Sequence, residues 1–276
     1  MNQRFKFAQS SAVYFNFTLE YAIKNLSFLR YDGIEIWGGR PHAYRDDLLE
    51  DSAKLKALIR DSGLEVCNFI PAQFRYPTLL CSENERIRQD SVGYIASALR
   101  NAFILGSPSI SLCPGMVPWD LDLQRGRGKL IQSLKDICRI NESFGLRLLI
   151  EPAHRFESNL IKTIQECVEI LTEIDNPFLG ILLDTGHCHV NGEDLPQALI
   201  LASRYPLHIH IDDNSGDADA HLNLGEGTID FHRFRKALDA VQYKGYLSVE
   251  LGTKYIMDPE AACRTSLTKL RELFGD

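Results

Sequence analysis

Four apolar runs in this sequence end in a side chain that can bind a cation or move a proton. Leu148-Leu149-Ile150 leads into Glu151-Pro152, and Ile181-Leu182-Leu183 leads into Asp184-Thr185-Gly186-His187. Leu207-His208-Ile209-His210-Ile211 leads into Asp212, and Leu247-Ser248-Val249 leads into Glu250. A single Glu or Asp at the end of an apolar run is commonly a salt-bridge partner or a turn residue. Four such endings in succession do not fit that reading. Three carboxylates and one imidazole, drawn to one point, suit a divalent ion. The set Glu151, Asp184, His210 and Glu250 is rich in oxygen, which favours Mn²⁺, Mg²⁺ or Co²⁺ over a thiolate zinc site. Mn²⁺ is the first expectation, with Zn²⁺ and Ni²⁺ as further candidates. His208 and His210 lie two apart, so on a strand they point the same way. Either can be the ligand; His210 lies nearer the end of its run.

For these groups to meet, the runs carrying them must lie side by side. Eight short segments rich in Val, Ile, Leu and Phe read as strands: Phe5–Ala8, Gly33–Ile36, Glu65–Ile70, Ser109–Leu112, Arg147–Ile150, Leu179–Leu183, Leu207–Ile211 and Leu247–Leu251. Helical patterns separate them near 18–30, 48–62, 83–105, 126–144, 163–174, 194–204, 230–242 and 259–274. Thr163-Ile164-Gln165-Glu166 has the form of a capping box, and Gly63 and Gly145 mark helix stops. Strands alternating with helices imply a parallel sheet, and eight units are the number that closes a (β/α)8 barrel. An open doubly wound sheet is the other candidate, but no G-x-G-x-x-G occurs. No linker or composition shift divides residues 1–276, so one barrel domain is expected. The long irregular segments 71–82, 113–125 and 212–229 each follow a strand, which places them at the C-terminal mouth, where barrels build active sites. Trp37, Phe69, Phe74, Trp119 and Phe156 are candidate walls of that mouth.

The bulk numbers narrow the class of function. The chain has 276 residues, 45% hydrophobic and 24% charged, with a formal net charge of −7. Length fits one α/β barrel, for which about 250 residues is typical. An acidic chain lacks the basic footprint that binding to phosphate-rich nucleic acid needs. No apolar run approaches the ~18 residues of a membrane span. Seven cysteines with no C-x-x-C pair read as reduced thiols. A cytoplasmic protein acting on a small molecule is expected.

These residues carry a resemblance over nearly the whole chain. The order Glu-Pro, Asp-Thr-Gly-His, His-x-x-Asp, Gly-Glu-Gly and a final Glu resembles the xylose-isomerase-like barrel superfamily. Within it, the string from Tyr31 to Tyr44, Tyr-Asp-Gly-Ile-Glu-Ile-Trp-Gly-Gly-Arg-Pro-His-Ala-Tyr, is similar to the fructoselysine 3-epimerase and ketose 3-epimerase group. So is Glu151-Pro152-Ala153-His154-Arg155-Phe156-Glu157, and Leu224-Gly225-Glu226-Gly227 resembles the superfamily's turn into its seventh helix. The resemblance implies that Glu151, Asp184, His210 and Glu250 bind one metal ion, and that Glu151 and Glu250 are the acid–base pair. It implies that Glu157 and His187 contact substrate, with Arg40 and Trp37 near the mouth. The reaction implied is epimerisation next to the carbonyl of a ketose or ketosamine through an enediolate. Two carboxylates flanking the substrate suit proton removal on one face and return on the other. Barrels of this group also assemble as dimers or tetramers, so a homo-oligomer is expected.

Two departures open other readings. Where many ketose 3-epimerases carry an Arg six residues after the metal-binding His, this chain has Gly216. The apurinic-site endonucleases of the superfamily carry extra His ligands after strands three and four, and here those ends read Ile70-Pro71 and Leu112-Cys113. Asp219-Ala220-His221 nevertheless resembles the endonuclease Asp-x-His pair; a substrate-contact loop including His221 is the expectation, a second metal site the alternative. An inosose-type dehydratase is the alternative enzyme, a phosphodiesterase a more distant one and a non-catalytic sugar-binding barrel the remaining one.

Overall fold

The computed structural model describes residues 5–73 and 78–275. Its eight strands are β1 (Lys6–Ser10), β2 (Gly33–Trp37), β3 (Glu65–Ile70), β4 (Ser109–Leu112), β5 (Arg147–Ile150), β6 (Leu179–Asp184), β7 (Leu207–Ile211) and β8 (Tyr246–Val249). All neighbours pair in parallel and β1 pairs with β8, so the sheet closes into a barrel in sequence order. The closed sheet excludes the open doubly wound alternative. The described helices are α1 (Leu19–Leu29), α2 (Leu48–Ser62), α3 (Glu85–Leu105), α4 (Leu123–Asn141), α5 (Ile164–Ile174), α6 (Thr185–Asn191), α7 (Leu195–Ala202), α8 (Phe231–Ala240) and α9 (Pro259–Phe274). Among the described residues, no helix is long and apolar enough to cross a membrane.

Local chemistry sets the helix ends. Thr163 closes the expected capping box: its hydroxyl accepts from Glu166 N at 3.1 Å, and Glu166 Oε2 accepts from Thr163 N at 3.1 Å. Gly63 ends α2 in the left-handed region at φ +75°, where a side chain would strain the backbone. α6 is an element the sequence pattern did not announce. Its residues, Thr-Gly-His-Cys-His-Val-Asn, are poor helix formers. It forms because Asp184, the last residue of β6, caps it by accepting from His187 N at 2.8 Å. One strand end thereby becomes a helix start without an intervening loop.

Two apolar layers carry the barrel. The helices pack their buried faces on the outside of the strands through residues such as Ile23, Leu99, Leu134, Leu199, Leu238 and Leu270. Inside, the filling is partly polar: Gln9, Glu35, Asn68, His208, His210 and Ser248 are all buried. Register places Asp184 opposite His210, and His210 opposite Ser248. Glu250 follows immediately after β8.

The loop after β7 is held by one carboxylate. Asp213 is buried and accepts from the backbone N–H groups of Asn214, Gly225, Gly227 and Ile229 at 2.9 to 3.1 Å. A Cβ on Gly227 would lie 2.3 Å from Asp213 Oδ1, so the Gly-Glu-Gly turn is the form that lets backbone close around the carboxylate. Charge-assisted bonds of this kind contribute about 1.5–3 kcal/mol each to a buried group that loses them. Asp213→Ala is expected to cost roughly 3 kcal/mol or more on that basis, read as a lower midpoint in urea unfolding. A midpoint equal to wild type would remove Asp213 from this role.

Candidate active site

The four strand-end groups converge. Ligand-capable atoms of Glu151, Asp184, His210 and Glu250 all lie within 4.8 Å of one another. His210 Nδ1 is at their centre, 3.0 Å from Glu250 Oε2, 3.5 Å from Glu151 Oε1 and 3.6 Å from Asp184 Oδ2. Glu151, Asp184 and His210 are buried, and Glu250 is one-fifth exposed. Asp184 spends Oδ1 on the α6 cap, while Asp184 Oδ2 and His210 Nδ1 are buried with no hydrogen-bond partner. Unpaired buried polar atoms are costly and uncommon, and these two face the same point. Three carboxylates, one imidazole and two orphaned atoms fit a divalent cation of the hard, oxygen-preferring kind.

The electrostatics follow from burial and crowding. Burial pushes the Glu151 carboxyl above its ordinary range, despite opposing effects from His210 and His187. Burial alone would lower His210, but Glu35 and Glu250 overturn it and raise the imidazole well above its usual value. Of the two histidines on β7, His210 is the one in the cluster. His208 lies below it, with Nε2 at 3.4 Å from Glu35 Oε2.

A second polar cluster adjoins the first. Asp219 Oδ2 is 2.7 Å from His221 Nε2, 3.4 Å from His187 Nε2 and 3.5 Å from His154 Nε2. His221 Nδ1 also lies 2.6 Å from Asp212 Oδ2. His187 donates Nδ1–H to the Pro152 carbonyl at 3.0 Å, because a carbonyl only accepts, and this turns Nε2 toward Asp219. Glu157 Oε2 is 3.6 Å from His154 Nε2. The expected substrate residues Glu157, His187 and His221 therefore share one wall, with His154 between them.

Arg40 and Trp37 stand apart from these clusters. Arg40 is exposed, pairs with Asp47 and lies over the Tyr44 ring at 4.7 Å. Trp37 packs edge-on against His42 and Phe15. Among the candidate walls, Phe69 is fully buried in the core and Trp119 is 82% exposed. Phe156 is half-exposed beside His154, and Phe74 lies outside the described residues. At Gly216, where an Arg was the family expectation, the carbonyl accepts from Arg155 Nη2 at 3.4 Å, with the Arg155 guanidinium stacked on Phe156 at 4.7 Å.

Glu35 is the site residue that the strand-end pattern missed. It is fully buried in the middle of β2 and accepts from His210 Nε2 at 2.9 and 3.0 Å. Burial pushes its carboxyl up, but His210 and His208 reverse this and hold it well below the usual carboxylate range. A signal was present in the sequence: a charge flanked by Ile34 and Ile36 inside an apolar strand.

A closed parallel barrel with acid–base groups gathered at its C-terminal mouth defines a (β/α)8 enzyme scaffold. The chain belongs to the xylose isomerase-like TIM barrel family, whose model matches residues 24–273. It is 30% identical over 267 residues to fructoselysine 3-epimerase of Escherichia coli O157:H7, covering 94% of each chain. It is 28% identical over 261 residues to 3-dehydro-D-guloside 4-epimerase of Escherichia coli K12, covering 90% of this chain and 91% of the other. The crystal structure of 3-keto-D-glucoside 4-epimerase from E. coli superposes with a TM-score of 0.82 at 23% identity, over 97% of this chain and 99% of that one, which is a likeness of fold.

The packing beneath the site gives a paired test. A Cβ on Gly186 would lie 2.5 Å from Asp212 Oδ1, whereas a Cβ on Gly93, in α3, would meet nothing within 4 Å. Gly186→Ala should lower stability by roughly 1–3 kcal/mol through overpacking. Gly93→Ala should raise it by about 0.5–1 kcal/mol through helix propensity. Thermal melts of the two variants moving in the same direction would contradict this packing.

Proposed function

We propose that this chain is a divalent-metal-dependent sugar epimerase acting next to the carbonyl of a ketose or ketosamine, of the fructoselysine 3-epimerase kind. The carrying observation is the convergence of Glu151, Asp184 and Glu250 on His210 Nδ1, with Asp184 Oδ2 and His210 Nδ1 left unpaired. Similarity to a fructoselysine 3-epimerase across 94% of both chains supports the substrate class.

Glu151, Asp184, His210 and Glu250 would hold the cation. Bound there, it would supply Lewis-acid polarisation of the substrate carbonyl and charge balance for the enediolate. Glu151 follows β5 and Glu250 follows β8, on either side of the His210 strand in the barrel order. They can therefore address opposite faces of a sugar carbon, one removing its proton and the other returning one. Glu157, His154 and His187 form the wall that would orient hydroxyls. Arg155, stacked on Phe156 at 4.7 Å, would meet the far end of a substrate.

Chelator treatment should abolish turnover and Mn²⁺ should restore it. In D₂O, wild type given fructoselysine or a free ketose should place deuterium at the carbon beside the carbonyl without loss of mass from the sugar. Glu151→Gln and Glu250→Gln should each slow that exchange by roughly 10²–10⁴-fold, the range for a positioned acid–base group. Loss of water from the sugar would point to a dehydratase instead. Full activity in chelator would sink the metal assignment.

A further inference from the structure

We infer that Glu35 is a positioning residue for the metal centre. It fixes the ring and the proton of His210 so that Nδ1 is the nitrogen offered to the cation. The inference rests on the metal reading above.

Glu35 sits one layer below the cluster, at 0% exposure. Both of its oxygens lie within 3.0 Å of His210 Nε2. A deprotonated carboxylate has no proton to give, so Nε2 must be the donor. An imidazole that binds a cation is neutral and carries one N–H, so a proton held at Nε2 leaves the Nδ1 lone pair for a cation among Glu151, Asp184 and Glu250. Glu35 cannot swing away, because other donors hold it. Asn68 Nδ2 donates to Oε1 at 2.5 Å, and Ser248 Oγ donates to Oε2 at 2.6 Å. Asn68 in turn accepts from Ser109 Oγ at 2.6 Å, so the chain of bonds crosses the barrel from β8 through β2 and β3 to β4.

A carboxylate in the middle of a barrel carries a large desolvation cost, and an apolar residue of similar volume would avoid it. Partners offset the cost without explaining why a charge is there at all. A metal-binding imidazole gives a reason. Holding its remote N–H fixes ring orientation and raises basicity at the ligating nitrogen, and loss of such a partner typically weakens metal binding 10–100-fold.

Isothermal titration of chelator-stripped full-length protein with Mn²⁺ tests the point. Glu35→Gln keeps the shape and removes the charge. With its circular dichroism unchanged, it should bind Mn²⁺ about 10–100-fold more weakly than wild type. Its turnover, low at limiting Mn²⁺, should recover as Mn²⁺ is raised, with the KM for sugar little changed. A folded Glu35→Gln that binds Mn²⁺ as tightly as wild type overturns the inference and leaves the metal reading standing. Wild type that binds no divalent ion overturns the metal reading itself. A second measurement needs no variant: ¹⁵N-histidine NMR of the Zn²⁺-loaded wild type should show His210 protonated at Nε2. Protonation at Nδ1 overturns the inference even if Glu35→Gln does not fold.

Discussion

Like charges driven together in a largely buried site are the constraint on which this structure turns. Glu151, Asp184 and Glu250 crowd one imidazole nitrogen at the barrel mouth. Side-chain repulsion of this kind is screened at a surface and hardly at all in a buried site. The barrel imposes the crowding. Closure in sequence order brings β5, β6, β7 and β8 side by side, and parallel register brings their C-terminal ends to one level. The fold therefore maintains a charge arrangement that the local sequence would not choose.

Support for the arrangement comes from beneath and from one side. Beneath, Glu35 ties His210 to Asn68 and Ser248 inside the barrel. To the side, Asp184 both faces the cluster and caps α6, so the helix that carries His187 starts from a candidate ligand. Gly186 completes this corner, because only a missing side chain lets the carboxylate of Asp212 approach the first turn of α6. The Asp-Thr-Gly-His sequence is thus one device: a candidate ligand that is also a cap, a close approach and an imidazole within four successive residues.

Much of this was legible from the chain. All eight strands fell where apolar runs predicted them, because a parallel barrel buries both faces of each strand and so writes its strands as short continuous hydrophobic runs. Shifts of boundary were small: β6 runs on to Asp184, and β8 ends at Val249 rather than Leu251. Glu151, Asp184 and Glu250 were legible because they follow apolar runs directly, and His210 because it lies near the end of its own. What escaped has physical reasons. α6 depends on a cap and on tertiary packing, against weak propensity. Glu35 lies in mid-strand, where pattern reading expects core. Phe69 and Trp119 looked alike as candidate walls of the mouth, yet one is core and the other solvent-exposed, and only packing separates them. Arg40 is drawn to Asp47 and Tyr44, a local choice made by the turn after β2.

The two clusters at the mouth differ in how their charge can be balanced, and this decides where a cation is most needed. Around Asp219 and Asp212 stand three imidazoles, His154, His187 and His221. His221 bridges the two carboxylates, and although its burial opposes the charge, Asp212 and Asp219 raise its pKa well above the ordinary value. A protonated His221 there offsets much of the negative charge by itself. Around His210 the ratio is reversed, with three carboxylates to one imidazole, and the opposite nitrogen of that imidazole is already engaged by Glu35. Protonating His210 leaves that cluster with excess negative charge, and burial raises the Glu151 carboxyl while Asp184 Oδ2 stays unpaired. A divalent ion would relieve both at once. Three carboxylates that would share a cation, two of them exchanging protons, would suit inversion at a carbon next to a carbonyl.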